Sequence, residues 1–160
     1  MAIEFLDHDV WFAQLPGAVV AAAGLITDDA GQVLMVKPNY RDHWTMPGGI
    51  CEHGEAPHLG CAREVAEEVG LDRTAGPLLA VDWSQPFGAG ARPILHFVFD
   101  CGTLPAGAPI VLQQEELDDY QFVAPDRLDS YTPVFMQDRI AAALAGRAGG
   151  ATVYQPSRVS

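Results

Sequence analysis

Apolar and polar positions change rhythm several times along this chain. GAVVAAAGLIT, Gly17 to Thr27, is apolar almost throughout, QVLMVK, Gln32 to Lys37, is nearly so, and the DDAG between them ends in glycine. Two strands joined by a tight turn are the expectation. A loop rich in turn formers and aromatics, PNYRDHWTMPGG, then leads to a segment of helical rhythm from Ala56 to Gly70, glycine being a favoured residue just past a helix end. PLLAVDWSQ and PILHFVFDCGTL read as two further strands around the turn-forming PFGAGARP, and the acidic QQEELDDY precedes a short apolar run, YQFVA. Thr132 and Pro133 form an N-cap and first-turn pair for a helix over VFMQDRIAAALA, with Gly146 as its stop. The pattern predicts a single layered α/β or α+β domain over residues 1–146, with 1–16 as an N-terminal extension and 147–160 as a loose tail.

Composition narrows the partners. The 160 residues are 49% hydrophobic and 19% charged, the make-up of one globular domain able to bury a core. Nine Lys plus Arg against 21 Asp plus Glu leave a formal charge of −12, which disfavours polymeric nucleic acid and anionic membrane surfaces as partners. A small phosphorylated substrate remains compatible, because a local cation outweighs the net field at close range. Cys51, Cys61 and Cys101 are odd in number and lack CxxC spacing, so neither a disulfide framework nor a thiolate zinc site is expected. The N-terminus has no basic n-region or small-residue cleavage site, and the apolar run Ala18 to Ile26 is too short to span a bilayer. A cytoplasmic protein without a membrane partner is expected.

Five glutamates lie between Pro47 and Gly70. On a wheel of about 100° per residue, Leu59, Ala62, Val65, Ala66 and Val69 gather on one side of the helix and Glu64, Glu67 and Glu68 on the other. Like charges at i, i+3 and i+4 cost roughly a few tenths of a kcal/mol per pair, so an ordinary solvated face explains a bare ExxEE. The context changes that. Gly49, Glu55, Arg63, Glu64, Glu67, Glu68 and Gly70 stand at fixed spacings with apolar Val65 and Leu71. Such a coincidence has a chance on the order of 10⁻⁷ at average residue usage.

The segment resembles the Nudix box, G-x5-E-x7-R-E-U-x-E-E-x-G-U with U apolar, and every fixed position is filled. The likeness extends to the preceding hairpin, WTMPGG entering the box, two strands after it, an acidic segment and a C-terminal helix. It implies a Nudix-type α/β/α sandwich around a mixed sheet. Three carboxylates suit Mg²⁺, or Mn²⁺, as hard oxygen ligands. The resemblance assigns Glu64 and Glu68 as metal ligands, Glu67 as a ligand or water-activating neighbour, and the Gly48 carbonyl as a backbone ligand. Arg63 and Glu55 would orient the carboxylates. The implied reaction is hydrolysis of a nucleoside diphosphate linked to another group, at its pyrophosphate. Glu115 and Glu116, with Glu52 third, are the candidates for the further carboxylate that the family draws from a variable location. Many relatives being dimers, a homodimer is open.

Lys37, the only lysine, with Arg41 and His43, forms a candidate phosphate-binding group beside Trp44. Tyr40, Trp44, Trp83, Phe87 and Phe97 are candidates for base stacking, although strand aromatics more often fill a core. Pro86 lies where the ADP-ribose pyrophosphatase branch carries a proline, yet SQPFG is equally a turn sequence. Clean-up enzymes for nucleoside triphosphates therefore compete with that branch. His53 and His58 lack an HExxH frame, and Cys51 is a poor ligand for Mg²⁺. A non-catalytic Nudix-fold nucleotide-binding module is the alternative, and degenerate glutamates would be its mark; an isomerase of the same fold would need further catalytic residues.

Overall fold

A computed structural model describes residues 7–85, 88 and 90–156. Its centre is a mixed seven-stranded sheet. The expected hairpin is β1 (Val19–Asp28) and β2 (Val33–Pro38), antiparallel, with the Asp28 carboxylate accepting the Ala30 and Gln32 backbone N–H groups across the turn. The strands pair at Thr27 and Val33 and then diverge, and into the fork fits β3 (Gly48–Ile50), antiparallel to Ala21–Ala23 of β1. The sequence offered no strand pattern for so short a segment. β5 (Ile94–Leu104) runs parallel to β1 on its other side, followed by β4 (Leu78–Ser84) and β7 (Val153–Pro156), while β6 (Leu117–Val123) closes the far edge against β2.

A short exposed helix, α1 (His8–Ala13), precedes the sheet in the expected N-terminal extension. Helix α2 (Pro57–Val69) lies on one face and α3 (Val134–Gly149) on the other. Alternation along the strands supplies both interfaces. Ala22, Ile26, Leu34, Val36 and Phe99 meet Cys61, Val65 and Val69 of α2; Leu25, Met35, Ala80 and Val98 meet Met136, Ile140 and Ala143 of α3. The α/β sandwich follows from these two cores.

Three expectations need correction. The α2 wheel is rotated: Leu59 is 56% exposed and Ala66 is exposed, whereas Cys61, Val65, Glu68 and Val69 face the sheet. Thr132 does not cap α3; its hydroxyl donates to the Trp44 carbonyl at 2.8 Å, and the N-cap position belongs to Pro133. Residues 147–156 of the expected loose tail are ordered into the end of α3 and a further strand. Helix α3 passes through Gly146 because it crosses β4 so closely there that a Cβ would stand 2.2 Å from the Leu79 carbonyl oxygen, and it stops at Gly150. Arg147 then straps it to the sheet through Asp100 at 2.6 Å and the Leu25 carbonyl at 2.8 Å, and β7 adds a strand beyond. The acidic segment also contributes more structure than expected, since Leu117–Tyr120 opens β6.

Candidate functional site

The glutamates come together where α2 crosses the paired strands β1 and β3. Two glycines permit the approach. Gly48, at φ 150°, has no room for a side chain, since a Cβ would lie 2.3 Å from the Ala22 carbonyl oxygen; at Gly49 a Cβ would lie 2.5 Å from Glu64 Oε1. The helix that carries the carboxylates starts at Pro57, whose fixed φ suits a first turn, and ends at Gly70 in the left-handed conformation.

Arg63 is the hub. Its Nε and one terminal nitrogen grip Glu55, each at 2.9 Å, and the other terminal nitrogen donates to Glu64 at 2.9 Å and Glu67 at 3.1 Å. The planar guanidinium is suited to such a fork-to-carboxylate grip. The Glu52 backbone N–H also donates to Glu55, at 2.8 Å. The Arg63 hydrogen bonds and this N–H hold the Glu55 carboxyl down at about 2.

Glu68 has the opposite environment. It is 4% exposed, in a place where the packing of α2 calls for an apolar side chain, and its Oε2 accepts the Gly48 N–H at 2.8 Å. Burial pushes its carboxyl up to about 8; the Gly48 N–H opposes the shift, and the charges of Glu64 and Glu116 add to it. Burial likewise raises Glu64, against the pull of Arg63. Both Glu115 and Glu116 are exposed, and their carbonyls accept hydrogen bonds from Asn39, at 2.8 and 2.9 Å. The Gln113 N–H, bonded to the Glu68 carbonyl at 3.1 Å, ties this loop to α2.

The donor set fits a hard divalent cation. Desolvation and the charges of neighbouring glutamates drive Glu64 and Glu68 toward their neutral forms, and a bound cation inverts that balance. Among the described residues no three Asp, Glu, His or Cys side chains already converge on one point. Glu64 and Glu67 are engaged by Arg63, so a cation would compete with the guanidinium for them.

The proposed phosphate group divides. Lys37 donates to the carbonyls of Pro38 and Arg41, tying its own loop together. Trp44 is turned away from this group: half-buried, it packs edge-on against Tyr131 at 5.6 Å, against the core beneath α3. His43 meets the Phe135 ring edge-on at 5.9 Å, and burial, Arg41 and Lys37 lower its pKa. Arg41 is exposed, 5.3 Å over the Tyr40 ring, and its charge is felt at Glu68 and at His96. Phe97 packs in the core beneath α2, His53 and His58 are exposed, and Pro86 and Phe87 lie outside the described residues. A cleft of about 380 Å³ between the hairpin turn at Asp28–Ala30 and residues 104–108 includes none of the candidate residues.

Sequence reasoning missed a buried ion pair. Asp82 of β4 and Arg139 of α3 meet at 2.6 Å, with exposures of 0% and 5%. Asp82 had a visible signal, a charge set within the otherwise apolar LLAVDWS, whereas Arg139 follows Gln137 and Asp138 in VFMQDRIAAALA and is not set apart by its neighbours.

Comparison with known proteins agrees with the architecture. The NUDIX domain profile matches residues 17–143. A MutT-like protein of Streptomyces ambofaciens is 28% identical over 127 residues, covering 79% of this chain and 77% of that one. An RNA pyrophosphohydrolase of Pseudomonas putida is 41% identical over 56 residues, 35% of either chain. The crystal structure of a UDP-X diphosphatase superposes with a TM-score of 0.70 at 23% identity, over 94% of this chain and 76% of that one. With the complete glutamate box inside the matched span and the same sandwich beneath it, this chain belongs to the NUDIX domain family.

Proposed function

We propose that this chain hydrolyses the pyrophosphate linkage of a small nucleoside diphosphate derivative, with Mg²⁺, or Mn²⁺, held by Glu64, Glu67, Glu68 and the Gly48 carbonyl. It is a Nudix pyrophosphohydrolase, acting on a phosphoanhydride bond. The observation that carries the reading is the undamaged glutamate face with its Arg63 clamp, since a binding module has no need of either. When bound, the cation supplies charge neutralisation at the phosphate oxygens and acidifies a water. Arg63, anchored by Glu55, keeps the α2 carboxylates in register. Water attacks phosphorus, the bond to the bridging oxygen breaks, and the water's proton passes to a carboxylate. Glu67, exposed and tied by one bond to Arg63, is suited to take it, as is Glu116, whose charge reaches Glu64 and Glu68. Exposed Arg41, whose charge is felt at Glu68, and the Tyr40 ring beneath it are our candidates to meet the nucleotide.

The net charge of −12 favours a small substrate over a polymer. A phosphate-release screen with Mg²⁺ over nucleoside triphosphates, ADP-ribose, dinucleoside polyphosphates, NADH and nucleotide sugars tests the proposal. Turnover of at least one class, abolished by a chelator, is the expected result. Binding without turnover across the panel would transfer the assignment to a nucleotide-sensing module.

A further inference from the structure

Cys61 of α2 and Cys101 of β5 have no part in the proposed chemistry. They are 40 residues apart in sequence, yet their Sγ atoms stand 3.7 Å from one another, both side chains buried. No side chain separates them from β1, where Gly24 leaves the space: a Cβ there would lie 2.8 Å from Cys101 Sγ. A disulfide needs an S–S separation of about 2.05 Å, so modest movement of one side chain or of the helix suffices. Both thiols are enclosed, so oxidation proceeds through local opening of α2, whose N-cap, Ala56, makes no side-chain hydrogen bond and whose second turn carries Cys61. The pair is also asymmetric: the hydrogen bond between the two thiols lowers Cys101, and the same bond together with burial raises Cys61.

We propose that Cys61 and Cys101 form a reversible disulfide that tethers the glutamate-bearing helix to the centre of the sheet. The oxidant is a small two-electron acceptor such as a peroxide or an azo compound. With diamide, one thiolate adds to an azo nitrogen, and the second thiol attacks the sulfur of that adduct. The S–N bond breaks as the S–S bond forms, and both thiol protons end on the nitrogens of the departing hydrazine. The third thiol, Cys51, is partly exposed and close to the start of α2, where a Cβ on Gly60 would lie 2.9 Å from its Sγ. It is therefore the competing partner that the test must separate.

The full chain is oxidised with diamide, then denatured for thiol titration and peptide mapping. Three titratable thiols should fall to one, the lost pair appearing as a cross-linked peptide of Cys61 with Cys101, and dithiothreitol should restore all three. Cys51→Ser, which leaves the pair intact, should fall from two thiols to none. Retention of all thiols after diamide, or a bond that joins Cys51 to either partner, overturns the proposal.

Discussion

Glu68 occupies a position that helix packing would give to a valine or leucine, between Val65 and Val69 on the sheet side of α2. Its second contact, the Gly48 N–H, comes from a strand twenty residues earlier in the chain, so no local pattern reveals it. The box spacing made the glutamates legible, but their unequal environments were not, because exposure depends on which face of α2 meets the sheet. Gly49 supplies a test at this scale. In Gly49→Ala the added methyl would press on Glu64, whose end is mobile enough to move aside, so folding should survive. Activity should fall by roughly 10–100-fold, the usual cost of disturbing the surroundings of a metal ligand, with melting temperature nearly unchanged. Arg63→Ala should lose a similar roughly 10–100-fold factor, since Glu55, Glu64 and Glu67 all lose their common partner. Steady-state kinetics beside thermal melts would check both.

Elements were legible where one face is plainly apolar and misread where a residue serves a distant purpose. The hairpin, the extent of α2 though not its buried face, and the β4–β5 pair match their sequence patterns. Gly146 reads as a helix stop, yet it is the point of closest approach between α3 and β4, a relation between elements far apart in sequence. Thr132 reads as a cap, yet its hydroxyl holds the loop at Trp44. Gly146→Ala should therefore destabilise the fold by about 1–3 kcal/mol through overpacking, where a solvent-facing helix would gain from the same change, and urea denaturation would measure it. The ion pair between β4 and α3 behaves differently. Asp82→Ala leaves Arg139 buried without its carboxylate and should cost about 3–5 kcal/mol, whereas Asp82→Leu with Arg139→Met should recover most of that loss.

Across the whole molecule, charge governs both stability and chemistry. His96 is held neutral by burial, with Arg139 and Arg41 nearby, its pKa lowered from the ordinary 6.5 to about 3. The unfolded chain takes up a proton there below about pH 6.5 while the folded chain resists it, so stability falls as pH drops from 6.5 toward 3. Replacing it by His96→Gln should flatten the acid limb of a stability–pH curve; an unchanged slope would remove His96 from that role. The sequence exposed the strong acidity of the chain but not this buried cluster, which the pairing of β4 with β5 and the docking of α3 assemble. The most direct test of the proposed chemistry is phosphate release with Mg²⁺ by wild type and Glu68→Gln, an isosteric change that keeps an acceptor for the Gly48 N–H. At matched melting temperature the variant, which loses a charged metal ligand, should fall in turnover by more than the roughly 10–100-fold that follows disturbance of a ligand's surroundings, and equal turnover by the two proteins would contradict the assignment.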